Sequence, residues 1–272
     1  MLKTRVITAL ILLAILLSVI YSGSELFFVL VVTAFFGAAA WESFRLFHSP
    51  RPMLGAVIWG AAFLFIVLPG KMSNATLLFG LCAAVWGVRL VPSLAIGLPP
   101  LDGIANRLLN GIYGIAILGC FVAIIVLFQR SPLYLLSVLA IVWVADIGAY
   151  FAGKAFGKHK LAPSISPGKS WEGAIGGWLA VLLVAAASTT LPALKDTFAT
   201  QMLISWGWIG LIITLTVLVA ASIVGDLFES QLKRRAAMKD SSNLLPGHGG
   251  VLDRIDAVIP TLPLAVLLGS WF

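Results

Sequence analysis

Residues 202–225 read MLISWGWIGLIITLTVLVAASIVG, residues 226–256 read DLFESQLKRRAAMKDSSNLLPGHGGVLDRID, and residues 257–271 read AVIPTLPLAVLLGSW. The first block is long and apolar enough to cross bilayer hydrocarbon as a helix, which takes roughly 20 residues. The middle block gathers Lys233, Arg234, Arg235, Lys239 and Arg254 beside Asp226, Glu229, Asp240, Asp253 and Asp256, and the third block returns to apolar residues. That order implies a membrane protein with a polar site built at the ends of its helices. Both signs of charge at this density suit a site that handles anionic oxygens and divalent cations together.

The remainder of the chain repeats the apolar theme. Its 272 residues are 60% hydrophobic and 11% charged, with a mean hydropathy of +1.05, whereas soluble domains run about 45–50% apolar and about 25% charged. The expected fold is all-α and polytopic, one intramembrane unit without a separate globular module. A net charge of +7 would point to nucleic acid in a soluble protein. Here it is explained by loops facing anionic lipid, and no nucleic-acid role is assigned. Cys82 and Cys120 fall inside apolar runs, where a free thiol acts as a small hydrophobe, so neither a disulfide framework nor a CxxC metal pair is expected.

Apolar runs place nine transmembrane helices near 6–22, 25–41, 53–69, 74–92, 111–128, 132–152, 171–191, 202–225 and 251–271. The links at Ser49-Pro50-Arg51-Pro52, Pro69-Gly70-Lys71, Pro99-Pro100, Arg130-Ser131-Pro132 and Leu191-Pro192 are helix terminators. Lys3 and Arg5 ahead of the first run resemble the start of a signal peptide, but a retained anchor fits the charge pattern better. With the N-terminus cytoplasmic and the C-terminus outside, 15 of the 18 Lys and Arg lie inside, leaving only Lys71, Arg130 and Lys195 outside. This is the partition of the positive-inside rule. Residues 1–130 then form an N-terminal group of about five spans. Residues 131–272 form a catalytic half with cytoplasmic loops at 153–173 and 226–256.

Several residues stand out as chemistry. Asp146 lies inside the sixth span, where an aspartate at mid-helix costs about 2.5–3.5 kcal/mol. It either pairs with a lysine such as Lys154 or Lys169 or faces a catalytic cavity. The loop 153–173 contains Gly168-Lys169-Ser170 but no Walker A pattern, since Pro163 stands where that motif needs glycine. Ser170 suits a helix cap, Lys169 and the helix N-terminus suit an anion, and Glu172 suits either a metal or the helix dipole. Asp226, Glu229, Ser230 and Lys233 share one helical face. Asp253 and Asp256, three apart, can present two carboxylates to one cation, with Arg254 turned elsewhere. Pro246-Gly247-His248-Gly249-Gly250 lets backbone approach a ligand closely. Hard oxygens in this number fit Mg²⁺, which binds one or two carboxylates plus substrate phosphates, and zinc is disfavoured. The chemistry implied is phosphoryl or nucleotidyl transfer involving a lipid.

Ser230, Lys233-Arg234, Lys239-Asp240, Pro246, His248-Gly249-Gly250, Asp253-Arg254 and Asp256 together resemble the signature of the phosphatidate cytidylyltransferases, the CDP-diacylglycerol synthases. Asp146, Gly148-Ala149-Tyr150-Phe151, Gly157-Lys158, Ile165-Ser166-Pro167, Lys169 and Trp171-Glu172-Gly173 are similar to the same family. The resemblance covers roughly the C-terminal half. It implies conversion of CTP and phosphatidate to CDP-diacylglycerol and pyrophosphate with Mg²⁺, in the inner membrane with the site facing the cytoplasm. On this reading Asp226, Asp253 and Asp256 hold metal. Lys233, Arg234, Lys239 and the Lys169 loop clamp phosphates, His248 binds phosphate or orients a ligand, and Ser166, Ser170, Ser230, Gly249 and Gly250 contribute to substrate binding. A second cation and a homodimer are left open.

Two rivals are weighed. The CDP-alcohol phosphotransferases carry DGxxAR, but Asp102-Gly103-Ile104-Ala105-Asn106-Arg107 departs from it by one residue, with no further aspartate until Asp146. A secondary transporter or channel using Asp146 and Asp226 is the alternative of another class.

Overall fold

The computed structural model describes residues 2–68 and 75–269, with side chains left aside at 2–6, 9, 12, 13, 16 and 20. The expected link Pro69-Gly70-Lys71, the Lys3 and Arg5 side chains and the end of the last expected span lie outside the described residues. The chain runs through α1 (Leu2–Ser22), α2 (Glu25–Leu46), α3 (Pro52–Val67), α4 (Ala75–Val85), a π-helical turn (Trp86–Leu90), α5 (Val91–Ile96) and α6 (Ile104–Arg130). After these come α7 (Pro132–Phe156), strands β1 (Lys160–Ala162) and β2 (Ser166–Ser170), α8 (Trp171–Thr189), α9 (Phe198–Arg235), α10 (Leu252–Ile255) and α11 (Val258–Gly269).

Boundaries follow local chemistry. Ser24 accepts a hydrogen bond from the Phe27 N–H at 3.2 Å to start α2, and Ser131 does the same for Tyr134 at 2.9 Å to start α7, with Pro132 at the first helical position. Pro52 likewise opens α3. Six helical segments among the described residues are long and apolar enough to cross a membrane: Glu25–Leu46, Ala75–Ile96, Ile104–Arg130, Pro132–Phe156, Trp171–Thr189 and Phe198–Arg235. The apolar helices Pro52–Val67 and Val258–Gly269 are shorter, at 16 and 12 residues.

The structure differs from expectation in two places. The segment expected as one helix from 251 is divided into α10 and α11, because Asp253, Arg254 and Asp256 interrupt the apolar run. The loop 153–173 folds its second part into an antiparallel hairpin, Lys160 opposite Ser170 and Ala162 opposite Ser166, a small sheet in an otherwise helical protein. The polar extension expected after 225 is present, since α9 continues to Arg235 past a non-helical Gly207.

At the centre, α11 packs against α4, α6, α7 and α9, and α7 lies along α8. Aromatic packing secures the first half: Phe36 stacks on Phe63 with centroids 4.7 Å apart, and Phe121 meets Phe36 edge-on at 5.4 Å. Tyr113 and Trp86 both reach Phe228 on α9, at 5.1 and 5.6 Å. The early helices therefore support the helix that carries Asp226.

Candidate active site

Two close helix crossings bring the carboxylates together. On α8, a Cβ at Gly173 would stand 2.9 Å from the Ala149 carbonyl, and one at Gly177 would collide with the Ala145 carbonyl. Helices α7 and α8 thus meet backbone to backbone, as small residues allow in membranes, and Asp146 on α7 is drawn into the group. At the second crossing a Cβ on Gly225 would collide with the Asp256 carbonyl oxygen. Without that contact Asp226 and Asp256, 30 positions apart in the chain, would stand further apart.

The resulting cavity, about 560 Å³, has Asp146, Lys169, Asp226, Asp253, Arg254 and Asp256 in its lining. Lys169 Nζ lies 2.7 Å from Asp226 Oδ2, and Ser230 Oγ donates to Asp226 Oδ1 at 3.3 Å. Of the two lysines weighed as partners for Asp146, Lys169 is engaged with Asp226, and Lys154 lines the cavity without an ion pair to Asp146. Asp146 receives no hydrogen bond among the described residues and faces the cavity. Asp256 Oδ1 accepts from the Ala257 N–H at 2.8 Å. Asp256 ends α10, ahead of the last apolar helix; its packed surroundings push the carboxyl up to about 7, and nearby Asp226 pushes the same way.

Asp253 is handled differently. Its Oδ1 takes Lys233 Nζ at 2.6 Å, while Oδ2 accepts from the Ser241 N–H at 2.8 Å, Ser241 Oγ at 2.9 Å and the Gly250 N–H at 2.8 Å. Burial opposes its charge, but Lys233 and these N–H groups outweigh it and hold the carboxyl below its usual value. Both oxygens of a residue read from sequence as a metal ligand are thus already bonded. Among the described residues no three His, Cys, Asp or Glu side chains are grouped to hold a metal ion. Lys233, read as a phosphate clamp, also reaches Glu229 at 2.8 Å, confirming the shared face along α9 and leaving its ammonium between two carboxylates.

The glycine-rich turn also departs from its expected use. It closes on itself through His248 N–H to Leu245 O and Leu245 N–H to Gly249 O, each at 2.8 Å. Gly249 has φ +84°, and a Cβ there would meet Asp253 Oδ2 at 2.7 Å. A Cβ on Gly250 would collide with Ser241 Oγ and Glu42 Oε1. The room left by these glycines is taken by the protein's own carboxylates. His248, Gly249 and Gly250 do not line the cavity, and His248 Nδ1 is buried without a partner. Thr8 of α1 donates to Pro246 O at 2.8 Å, tying the first helix to this turn.

Other expected residues are spread around the site. Ser170 caps α8 through the Gly173 N–H at 3.1 Å and also lines the cavity. Ser166 sits at the start of β2, outside the lining. Glu172 accepts from the N–H groups of Lys158 and His159 at 3.1 and 3.2 Å and contacts His159 Nδ1 at 2.6 Å, so it fastens the hairpin's entry. Arg234, Lys239 and Asp240 are exposed and away from the cavity lining.

Glu42 was not visible as a site residue. Placed at the end of an apolar run with Arg45 three positions on, it reads as an ordinary helix-end pair. In the structure it is fully buried and bonded to residues 199 to 210 positions away. A larger cavity, about 860 Å³, lies among α2, α3 and α6, but Asp102 is the only carboxylate residue in its lining. Convergent charge, not size, selects the smaller cavity.

Residues 3–272 match the cytidylyltransferase family. The chain is 40% identical over 277 residues to a protein of Pseudomonas aeruginosa named phosphatidate cytidylyltransferase, covering 98% of this chain and 97% of that one. It is 35% identical over 284 residues to one of the same name from Haemophilus influenzae, covering 97% and 96%. With its aspartate-lined cavity and a match running nearly end to end, the chain belongs to the cytidylyltransferase family.

Proposed function

We propose that this protein transfers the cytidylyl group of CTP to phosphatidate, giving CDP-diacylglycerol and pyrophosphate for phospholipid synthesis. The observation that carries this reading is the meeting of Asp146, Asp226 and Asp256 with Lys169 in one cavity at helix ends, in a chain of this family. A phosphatidate oxygen is already anionic and needs no protein nucleophile. It forms a bond to the α-phosphorus of CTP as the bond from that phosphorus to the bridging oxygen breaks, and pyrophosphate leaves with the electron pair.

Mg²⁺ fits the donor set, because Asp226 and Asp256 offer hard oxygens that meet fewer donors than those of Asp253, Asp226 holding Lys169 and a long contact from Ser230 and Asp256 the Ala257 N–H, and the ion ordinarily completes its shell with phosphate and water. Those two residues would hold it, with Asp253 reaching it only through Oδ1, the oxygen now on Lys233. Asp146 is the carboxylate left for a second cation. A bound ion supplies charge neutralisation on the phosphates. Lys169, oriented by Asp226, sets a positive charge beside the transferred phosphoryl group, and exposed Arg254 adds a second from the cavity lining.

The site faces the cytoplasm of an inner membrane on this reading. Lys154, Lys158, Lys160, Lys169, Lys233, Arg234, Arg235, Lys239 and Arg254 all belong to the two site-bearing segments, which favours the inside face. The test is incubation of labelled CTP with phosphatidate and the purified protein in Mg²⁺. Chloroform-soluble label with matching pyrophosphate release is expected. A transporter would yield no such label, and that result overturns the proposal.

A further inference from the structure

Glu42 is a buried carboxylate that the transfer chemistry leaves unused and that lies outside the Lys233 cluster. It stands near the end of α2, 0% exposed, and takes four hydrogen bonds from a loop two hundred residues away. Oε1 accepts from Ser242 Oγ and from the Val251 N–H at 3.0 Å; Oε2 accepts from Ser241 Oγ at 3.2 Å and the Leu252 N–H at 2.7 Å. A carboxylate has about four lone-pair sites, and here all are met.

Ser241 joins this group to the cavity. Its Oγ lies 3.2 Å from Glu42 Oε2 and 2.9 Å from Asp253 Oδ2, and a hydroxyl has one proton to share between them. Asp253 in turn holds Lys233. Gly250 is squeezed between the same partners, with no room for a Cβ beside Glu42 and Ser241. The two carboxylates therefore grip the segment 241–253 together, one from α2 and the other from within the segment. Nothing in the loop's own sequence provides the outer grip.

The geometry points to Glu42 as a positioning residue for cytidylyl transfer: it fixes the 241–252 loop so that Asp253, and through it Lys233, hold their places at the cavity. The inference rests on the proposed activity but can fail separately. In Glu42→Gln the shape is kept, but in either orientation the amide NH₂ must face a backbone N–H, that of Val251 or Leu252, and one half of the grip is lost.

The test compares wild type, Glu42→Gln and the milder Ser242→Ala, each purified as monodisperse protein, in the labelled-CTP assay and by hydrogen exchange. For Glu42→Gln kcat is expected to fall about tenfold or more, in line with the loss that small misplacement brings. Amide exchange should quicken at Ser241, Gly250, Val251 and Leu252 while the spanning helices stay protected. Ser242→Ala should show the same pattern at about threefold, a smaller step on the same misplacement argument, which keeps the idea testable if the first variant does not fold. Combined with Ser241→Ala, Glu42→Gln should lose less than the product of the two single effects, because both act through one hydroxyl. Wild-type kcat with only a lowered Tm in both variants, or additive effects in the double variant, overturns the inference. Absence of labelled lipid from the wild type instead overturns the proposed activity.

Discussion

Glu42 and Asp253 each take four hydrogen bonds that pin a loop, whereas Asp146, Asp226 and Asp256 line the cavity with fewer donors, Asp226 meeting Lys169 and Ser230, Asp256 the Ala257 N–H. Both groups are acidic and both are packed within protein, but their surroundings assign them different work. Carboxylates saturated by donors hold backbone in place. Carboxylates short of donors repel one another and have oxygens to offer a cation. The signature stretch contains both kinds within three residues, at Asp253 and Asp256.

The sharpest break in the comparison is Asp256→Asn, with Asp226→Asn beside it. Each should lower kcat by about 10²–10³-fold, the scale for losing one preorganised charge at a reacting centre. Thermal stability of Asp256→Asn in detergent should hold or rise slightly, since a like-charge contact is relieved, whereas Asp226→Asn also gives up its pair with Lys169. A large fall in Tm with kcat preserved would place Asp256 with the holding carboxylates. Gly225→Ala tests the crossing that brings the pair together. Its Cβ collides with the Asp256 carbonyl, so stability should fall by about 1–3 kcal/mol and kcat by about 10²-fold through misplacement.

Asp253→Asn should show the opposite balance. Loss of about 3 kcal/mol is expected because an amide accepts at only one of the two positions, so that either the Lys233 contact, leaving Lys233 on Glu229 alone, or the three loop donors lose their acceptor, with a clear drop in Tm. Unchanged Tm with abolished Mg²⁺ dependence would return Asp253 to the metal set. Lys169→Ala should raise the KM for CTP about tenfold, roughly the 1.4 kcal/mol of one half-buried charge-assisted contact. Glu172→Gln should do least. Its partner His159 is 80% exposed, so solvent screens the pair and activity should stay within about twofold of wild type.

Much of the fold was legible because the bilayer imposes a length and a polarity on each helix. The apolar runs, the serine and proline boundaries at Ser131-Pro132, and the polar continuation of α9 all followed from residue type. The division of the last segment into α10 and α11 was less legible, because Asp253 and Asp256 have a spacing that also suits one continuous helix. In the site, Ser170 as a cap and the shared face of Glu229 and Lys233 are local relations, three or four residues apart, and could be read directly. Gly250 was read as room for a ligand, since nothing nearby in sequence could reveal that Glu42 fills that room.

Residue type and order were enough for a polytopic helical membrane protein with acidic and basic residues gathered at helix ends, because hydropathy and helical period act over short stretches of chain. Tertiary structure alone decided which carboxylates are saturated with donors and which keep oxygens facing the cavity. The donors that saturate Asp253 and Glu42, and the glycine contact that sets Asp226 by Asp256, come from segments up to 210 positions apart. A carboxylate's availability depends on which N–H and O–H groups reach it in space, and that is a property of packing.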